Sequence, residues 1–336
     1  MKKFMTFSVC IFLICTCLFS GVAAAVKTDV GNSNKWDMLI ENLAPLHEDQ
    51  VEDVAGISTD LVEPKVSAEL AKAIEEADPL SAVSYDLRTG EVSLKPYEPS
   101  EKNDIVETTP SHEALGDNIE PHLASDNRTR ISSVTTFPYR AIVQVRAYFN
   151  NGKVSFSGAG AMVGTKAVLT AGHLVYHQKY GWASKVEIIP GGALSGYDTY
   201  TSSGITSVQG WTEQGKMEYD YAIVDLDHSP NVGYFGTRAE TTSSLNADSF
   251  DAYGFPGDKT YGSLWRTSGD ADMIQPNMFS FYGYPNAGFS GGPVVAQDDT
   301  THIVGIVSGE SEVGGEYYGM AVRVTADVVD FVKDHM

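Results

Sequence analysis

The stretch GFSGGPVVA (residues 288–296) joins a glycine-rich turn to a short apolar run. This alternation of turns and short apolar runs indicates the fold class. Similar apolar runs recur through residues 141–324, separated by Gly, Asn, Asp or Pro about every ten residues. Runs of this length and spacing are typical of strands in an all-β sandwich or barrel. The clearest predicted strands are 141–148, 159–163, 167–169, 186–189, 221–226, 303–307 and 317–324.

Only the C-terminal end of the body departs from the strand pattern. Residues 326–335 carry four apolar side chains on one face, and Thr325 precedes them as an N-cap. Asp327 lies in the first turn and Lys333 in the last, where each charge favours the helix dipole. The pattern predicts a terminal helix over 326–335.

The acidic charge of the chain is concentrated in its front part. The 336 residues carry 44 acidic and 23 basic side chains, a formal net charge of -21. Residues 26–120 hold 22 of the acidic and 7 of the basic residues, a local charge of -15. This balance argues against a nucleic-acid partner, because such a protein needs a basic surface to displace counterions from phosphates.

The extreme N-terminus has the pattern of a secretory signal peptide. Lys2 and Lys3 precede an apolar run over 4–19, and the small-residue stretch GVAAA follows at 21–25. A retained anchor helix is the alternative, but an anchor has no need of the small-residue tail. All three cysteines lie inside this segment, so the exported chain is predicted to have no disulfide and no cysteine metal site. We expect residues 1–25 to be removed and the protein to be secreted, with no membrane attachment afterwards.

Residues 26–120 are predicted to form an acidic prosegment with a flexible linker. Residues 67–77 indicate a short amphipathic helix capped by Ser67, and residues 35–44 a weaker one. Residues 96–120 are rich in Pro, Glu, Ser, Thr and Asp, with few apolar side chains, so we expect that they do not order themselves. A small acidic module, a loose linker and a large body indicate a pro-enzyme; a solubilising or interaction tail is the alternative.

Three polar side chains of the body occur in an order that indicates nucleophilic catalysis. His173 ends the turn TAGH directly after a predicted strand, where the sheet holds a ring suited to act as a base near neutral pH. Asp220 stands at the mouth of the next strand, where its carboxylate can fix the imidazole tautomer. Ser290 lies between glycines, whose tight turn converges backbone N–H groups beside the hydroxyl. The rival carboxylates Asp225 and Asp227 are predicted to face solvent.

The motifs TAGH (170–173), DYAIV (220–224) and GFSGGP (288–293) resemble those of the chymotrypsin-like serine peptidases. Further stretches narrow the resemblance to the secreted Bacillus members of the V8-like glutamyl endopeptidases: SDNRTR (125–130), PYRA (138–141), GWAS (181–184), VGYFG (232–236) and GFPGDKT (254–260). The resemblance covers residues 123 to 336. It implies two six-stranded antiparallel β-barrels, with the triad in the cleft between them and the terminal helix packed against the second barrel.

The resemblance also implies a domain organisation and a set of roles. The peptidase domain would span 121–336, with the first barrel in 121–235 and the second in 236–324. Ser290 Oγ is expected to attack the scissile carbonyl, His173 to act as base and then acid, and Asp220 to orient His173. The backbone N–H groups of Gly288 and Ser290 are expected to form the oxyanion hole. The implied partners are protein or peptide substrates and the chain's own prosegment, in a monomer without a cofactor.

The predicted substrate pocket departs from the pattern of the family. Glutamyl endopeptidases are associated with a histidine on the pocket strand and with a Ser or Thr five residues before the nucleophile, where this chain has Val307 and Pro285. Neither side chain can donate a hydrogen bond to a glutamate carboxylate. An apolar or small residue before the cleaved bond is therefore the alternative to glutamate. The predicted pocket wall comprises Tyr284, Pro285, Val307 and Ser308.

A second departure concerns activation. Phe289 stands directly before the nucleophile, where the family has a polar residue, and it cannot form an ion pair with a new N-terminal amine. Activation by removal of a blocking prosegment is the remaining route. We expect the cut between Glu113 and Ser125, but not between Glu120 and Pro121, because a bond to proline nitrogen is a poor substrate.

The same residues are compatible with other functions. A catalytically silent homologue acting as a binding protein or adhesin has no need of all three triad residues, and an esterase would use the same triad. His173 and His177 have the spacing of a zinc-binding pair, but no Glu follows His173 and no third ligand stands out, so no metal site is predicted. The acidic clusters lack the alternating spacing of a calcium loop.

Overall fold

The computed structural model describes residues 32–42, 62–99, 106–113 and 126–336. Its strands are, in chain order, β1 (Ala82–Asp86), β2 (Val92–Lys95), β3 (Thr129–Arg130), β4 (Ile142–Phe149), β5 (Val154–Met162), β6 (Ala167–Thr170), β7 (Tyr176–His177), β8 (Gly181–Trp182), β9 (Lys185–Pro190), β10 (Tyr200–Val208), β11 (Ala222–Leu226), β12 (Gly236–Thr237), β13 (Ser249–Gly254), β14 (Trp265–Ile274), β15 (Met278–Tyr282), β16 (Pro293–Ala296), β17 (Asp299–Val313) and β18 (Glu316–Arg323). Its α-helices are α1 (Asn32–Glu41), α2 (Ala68–Glu75), α3 (Gln209–Thr212), α4 (Thr242–Ala247) and α5 (Ala326–Lys333). No helix within these ranges is long and apolar enough to cross a membrane.

The first barrel closes from six antiparallel strands. The hydrogen-bonded order is β11-β6-β5-β4-β9-β10, and β10 pairs back to β11. The interior is filled by short branched side chains such as Val145, Ile188 and Val224, each fully buried. Burial of a side chain of this size contributes about 1.5–3 kcal/mol, so the apolar strand runs account for the stability of the barrel.

The second barrel closes in the same way from β13, β14, β15, β18, β17 and β16, with β16 pairing back to β13. Its core is more aromatic and includes Phe250, Phe279 and Phe281, all fully buried. The prediction of an all-β fold with two six-stranded antiparallel barrels is confirmed. The short strands β12 and β3 pair with β17 and β14, outside the closed ring.

The terminal helix forms as predicted but packs differently. The hydroxyl of Thr325 accepts the hydrogen bond of the Val328 amide and caps α5. The ring of Phe331 packs edge-on against Tyr221 at 5.1 Å, and His335 approaches Asp225, both on or beside β11. The expectation that the helix packs against the second barrel is therefore wrong. The apolar face of α5 covers the first barrel, where Phe331 packs against the large ring of Tyr221.

Part of the predicted prosegment is built onto the first barrel. Strand β1 pairs antiparallel with β10 from Ala82↔Val208 to Asp86↔Gly204, and β2 completes a hairpin beside it. Helix α2 covers the hairpin and buries Ile74 among its apolar side chains. As predicted, Ser67 caps this helix, accepting from the amide of Leu70 at 3.1 Å.

Helix α1 lies against the second barrel. Its Leu39 is fully buried with Met273, Tyr318 and Met320. Lys35 forms an ion pair of 2.5 Å with Asp272. The described parts of the predicted prosegment therefore contact both barrels.

The expectation that residues 96–120 do not order themselves is wrong for 106–113. The amide of Thr108 donates to the carbonyl of Thr237, and the amide of Ser111 donates to that of Tyr234. The segment is ordered because carbonyl groups of the body accept hydrogen bonds from its backbone. The low apolar content of the segment gives no sign of these bonds. The predicted signal peptide and the predicted processing stretch beyond Glu113 lie outside the described residues.

Candidate active site

His173 and Asp220 are brought together by the pairing of two strands. Strands β6 and β11 are antiparallel with Thr170 opposite Ala222, so the residue after one strand and the residue before the other leave the barrel at the same edge. His173 follows in a short 3-10 turn, and Asp220 ends another just before β11. The geometry needs no long loop, since each residue lies within three positions of a paired strand.

The carboxylate of Asp220 is buried and receives three hydrogen bonds. Nδ1 of His173 lies 2.6 Å from Oδ2, and the backbone N–H of His173 donates to Oδ1 at 2.7 Å. The hydroxyl of Ser308 donates to Oδ2 at 2.5 Å. A carboxylate that is only 1% exposed would be costly without such donors, so these bonds keep it in place.

The histidine turn is held from one side by an indole. The Trp211 ring packs edge-on against the His173 ring at 6.2 Å, and its Nε1 donates to the carbonyl of Tyr176. A Cβ at Gly172 would lie 2.7 Å from this indole, so only glycine fits between the ring and the turn. Packing and hydrogen bonding together fix the orientation of the His173 side chain.

Ser290 lies in a turn that bridges the barrels. Gly288 has a φ of +104°, and a Cβ there would lie 2.2 Å from the carbonyl oxygen of Phe255. The turn is pinned to the second barrel by the amide of Gly291, which donates to Val307 O at 2.7 Å. It is pinned to the first barrel by the amide of Ala159, which donates to the carbonyl of Ser290 at 2.7 Å.

Three polar atoms of this turn are left without a protein partner within the described ranges. The hydroxyl of Ser290 is fully buried and makes no hydrogen bond there. The backbone N–H groups of Gly288 and Ser290 donate to no acceptor among the described residues, whereas the N–H of Phe289 between them bonds to Asn286 O. The turn therefore presents a hydroxyl and two free donors together.

Two of the residues singled out in the sequence lie in the core of the second barrel. Phe289 and Val307 are fully buried, in one cluster with Phe281 and Ala321. Phe289 anchors the turn by burial where the family has a polar residue. Val307, predicted as pocket wall, presents no polar group.

The other predicted pocket residues lie in two segments of the chain, and their role as a pocket wall stays a prediction. Pro285 is buried and Tyr284 half-buried in the chain that leads to the Ser290 turn. Ser308 also donates a hydrogen bond to Asp220, a role that the sequence analysis did not predict. Its position one residue beyond the apolar run 303–307 was the available signal.

An ionic cluster that the sequence analysis missed lies against Tyr284. The Arg128 guanidinium lies 4.6 Å from the centre of the Tyr284 ring. It forms bidentate hydrogen bonds with Asp126 and with Asp258, and Lys259 bonds to Asp126. Hydrogen bonds from Arg128 lower the pKa of both aspartates, although partial burial opposes this effect. In the sequence, the four charged residues of this cluster lie in SDNRTR (125–130) and GFPGDKT (254–260). Both stretches carried the family resemblance, but neither indicated an ionic cluster.

Glu310 on β17 is a further polar group that the sequence analysis did not single out. Its Oε2 atom is buried and finds no hydrogen-bond donor among the described residues. Burial raises the pKa of this carboxyl to about 7, against the opposing effect of Arg128. In the sequence, only its position two residues after Ser308, on the strand of the predicted pocket wall, could have indicated a role for Glu310.

The donor groups of the site do not resemble a metal centre. No three His, Cys, Asp or Glu side chains in the described part of the chain are grouped so that they could hold a metal ion. Nδ1 of His173 is engaged by Asp220, and His177 stacks on Phe156 at 5.6 Å.

Comparison with known proteins gives one family. The family model described as Trypsin matches residues 129–332. The chain is 36% identical over 215 residues to an extracellular metalloprotease of Bacillus subtilis (strain 168), covering 63% of this chain and 68% of that protein. It is 33% identical over 222 residues to a glutamyl endopeptidase of Bacillus licheniformis, with the same shares covered.

Two solved structures share the fold. A Glu endopeptidase in complex with MPD matches with a TM-score of 0.53 at 23% identity, over 62% of this chain and 96% of its own. A thermostable serine protease from an extremophilic microorganism matches with a TM-score of 0.50 at 16% identity, over 58% of this chain and 97% of its own. Both matches reach nearly the whole of the solved chain, as expected for a shared two-barrel domain.

Proposed function

Since this chain belongs to the trypsin family of serine peptidases, within its V8-like branch, and is a serine endopeptidase, we propose that His173, Asp220 and Ser290 are its catalytic triad. The observation that carries the proposal is the pair of hydrogen bonds from His173 to Asp220, through Nδ1 and the backbone N–H. This arrangement leaves Nε2 as the ring nitrogen that can take a proton from a nucleophile. Protein and peptide substrates follow from the family.

The acylation step uses all three residues. Ser290 Oγ attacks the carbonyl carbon of the scissile bond while His173 Nε2 takes the hydroxyl proton. The carbonyl oxygen becomes an oxyanion, which the free N–H groups of Gly288 and Ser290 stabilise. The intermediate then breaks the C–N bond, and His173 returns the proton to the leaving amine, so that an ester on Ser290 remains.

Deacylation repeats the sequence with water. His173 Nε2 takes a proton from the water, whose oxygen attacks the ester, and returns that proton to Ser290 Oγ as the acid is released. The imidazolium that forms twice in each cycle lies against the buried Asp220 carboxylate, which stabilises its charge. The unpartnered Ser290 hydroxyl fits this role, since hydrogen bonds of catalytic groups tighten on substrate binding.

We further propose that the enzyme is exported and made as a zymogen. The N-terminal pattern of residues 1–25 supports export, and the related Bacillus subtilis protein is named as extracellular. The pairing of β1 with β10 and the burial of Leu39 on the second barrel support a front segment that is built onto the peptidase and later cut from it. The name of the Bacillus licheniformis relative indicates cleavage after glutamate. In this chain neither Val307 nor Pro285 can donate a hydrogen bond to a glutamate carboxylate.

A serine-directed fluorophosphonate tests the triad. The processed wild type is expected to be labelled on Ser290 and to cleave a denatured protein, whereas Ser290→Ala does neither. Ser243→Ala, a serine exposed on helix α4, is the matched control and is expected to behave as wild type. A processed wild type that is neither labelled nor active would contradict the proposal and favour a silent binding protein.

A further inference from the structure

Glu310 lies on β17, the strand to which the turn of the proposed nucleophile is bonded. The N–H of Gly291 and the N–H of Val307 tie the Ser290 turn to β17 in both directions, at 2.7 and 3.0 Å. The next residue, Ser308, contacts Asp220. Glu310 follows two residues after Ser308 on β17, just past an irregularity in the pairing with β18 between Val307 and Gly309.

Three elements meet around Glu310. Across β18 it faces Gly319, which has no side chain. Tyr317, two residues earlier on β18, packs edge-on against Tyr284 with the ring centres 4.5 Å apart. The Arg128 guanidinium also lies over the Tyr284 ring, 4.6 Å from its centre, and acts electrostatically on Glu310. The carboxylate thus belongs to the same surroundings as Tyr284, the residue predicted to line the substrate pocket.

The charges of these surroundings do not balance. Arg128 directs four hydrogen bonds to Asp126 and Asp258, and Lys259 bonds to Asp126, so two cations are matched by two carboxylates. Two further carboxylates lie towards the end of β17, Glu310 and Glu312. Glu312, opposite Tyr317, is exposed to solvent, whereas Oε2 of Glu310 is buried and finds no donor among the described residues. A buried carboxylate without a donor is costly, and such groups are concentrated where a ligand supplies the partner.

We propose that Glu310 is the specificity-determining residue of the substrate pocket, and that its free carboxylate oxygen accepts hydrogen bonds from a lysine or arginine side chain preceding the cleaved bond. The proposal rests on the proposed peptidase function and names its substrate class. A basic side chain supplies both the donor and the charge that Glu310 lacks. A substrate glutamate would bring a second carboxylate beside it, and neither Val307 nor Pro285 offers a compensating donor.

The test measures kcat/KM on peptides that differ only in the residue before the cleaved bond. The wild type is expected to have a kcat/KM about 100-fold or more higher for peptides with Lys or Arg before the cleaved bond than for those with Glu. A difference of this size is expected when one substrate pairs with a buried group and the other leaves it unpaired. Glu310→Gln is expected to lower that ratio by at least about tenfold, the loss of one charged partner. Glu310→Lys is expected to reverse the preference towards Glu.

Controls separate this proposal from the one on which it rests. Glu316→Gln, an exposed glutamate at the start of β18, is expected to keep the wild-type ratio. A labelled, active wild type that cuts after glutamate or apolar residues overturns the role of Glu310 and leaves the triad standing. An unlabelled and inactive processed protein overturns both. Because the preference is read on the wild type itself, misfolding of a variant does not decide the outcome.

Discussion

Ser308 Oγ donates a hydrogen bond of 2.5 Å to Asp220 Oδ2, and this bond crosses from the second barrel to the first. Asp220 lies two residues before β11, the last strand of the first barrel, and Ser308 lies near the middle of β17, the longest strand of the second. The same carboxylate oxygen faces Nδ1 of His173 at 2.6 Å. The orientation of the histidine thus depends on how the two barrels are docked.

Removal of the Ser308 hydroxyl is expected to weaken catalysis without abolishing it. Ser308→Ala leaves the buried Asp220 with two donors, a change that costs about 1–3 kcal/mol. We expect kcat to fall by about tenfold or more, with KM nearly unchanged, because a positioning residue acts through His173 and not on the substrate. Steady-state kinetics on a peptide ester check the split. Recovery by Ser308→Thr would exclude a general packing defect, and an unchanged kcat in Ser308→Ala would contradict the positioning role.

A methyl group at Gly288 is expected to abolish activity. Gly288→Ala places a Cβ 2.2 Å from the carbonyl of Phe255 and strains a residue with a φ of +104°. The turn must move to relieve the clash, which displaces the two N–H groups proposed to bind the oxyanion; the loss of one such donor costs about 100- to 1,000-fold in kcat.

Gly314→Ala is the matched control for that substitution. Gly314 also has a positive φ, of +65°, but a Cβ there meets nothing within 4 Å. Its variant carries the backbone strain without the clash and is expected to keep kcat. Equal losses of kcat in the two variants would show that strain alone, and not the position of the donors, explains the effect.

Loosening the front hairpin is expected to expose the edge of β10. Val83 is 2% exposed in the cluster that joins β1 to α2, so Val83→Ala in the unprocessed Ser290→Ala protein is expected to destabilise the docked hairpin by about 1–3 kcal/mol. Hydrogen exchange of the β10 amides at Ile205 and Ser207 is expected to quicken accordingly. Ser93→Ala, on the exposed face of β2, serves as the control and should leave exchange unaltered. Unchanged exchange in Val83→Ala would mean that β10 is protected without the hairpin.

The stability of the protein is expected to depend on pH through Glu310. Its pKa is raised by burial from 4.5 to about 7 in the folded chain. A carboxyl with a raised folded pKa binds its proton more tightly when folded, so its contribution to stability is present below pH 4.5 and is lost as the pH rises through 7. Glu310→Gln should therefore raise Tm more at pH 8 than at pH 5, as thermal melts at the two values would show. An equal change at both pH values would show that the carboxyl titrates normally.

Local patterns were enough to predict β4, β5, β6, β9, β11, β17 and β18, the two helices of the front segment and the terminal helix, because each depends on side-chain periodicity and capping within about ten residues. The same holds for His173, Asp220 and Ser290, since each stands at a strand end or in a glycine turn that is legible by itself. Strands β1, β2, β10, β13, β14 and β15 were not predicted, since their apolar runs are less distinct. The barrel against which α5 packs could not be predicted from local patterns. The apolar face of a helix says that it must be covered, but not by which barrel.

From the strand pattern alone an all-β sandwich or barrel follows, and the resemblance to the chymotrypsin-like peptidases implies two barrels and the three residues with which the chemistry is proposed. The folded chain was needed to show that Ser308 supports Asp220, that Arg128 lies over Tyr284, and that Glu310 has a buried oxygen with no donor among the described residues. Arg128 and Tyr284 are 156 positions apart in the chain, and Asp220 and Ser308 are 88 apart. A hydrogen bond, a ring contact or an unpaired charge between such residues depends on strand register and barrel docking, which no local pattern carries.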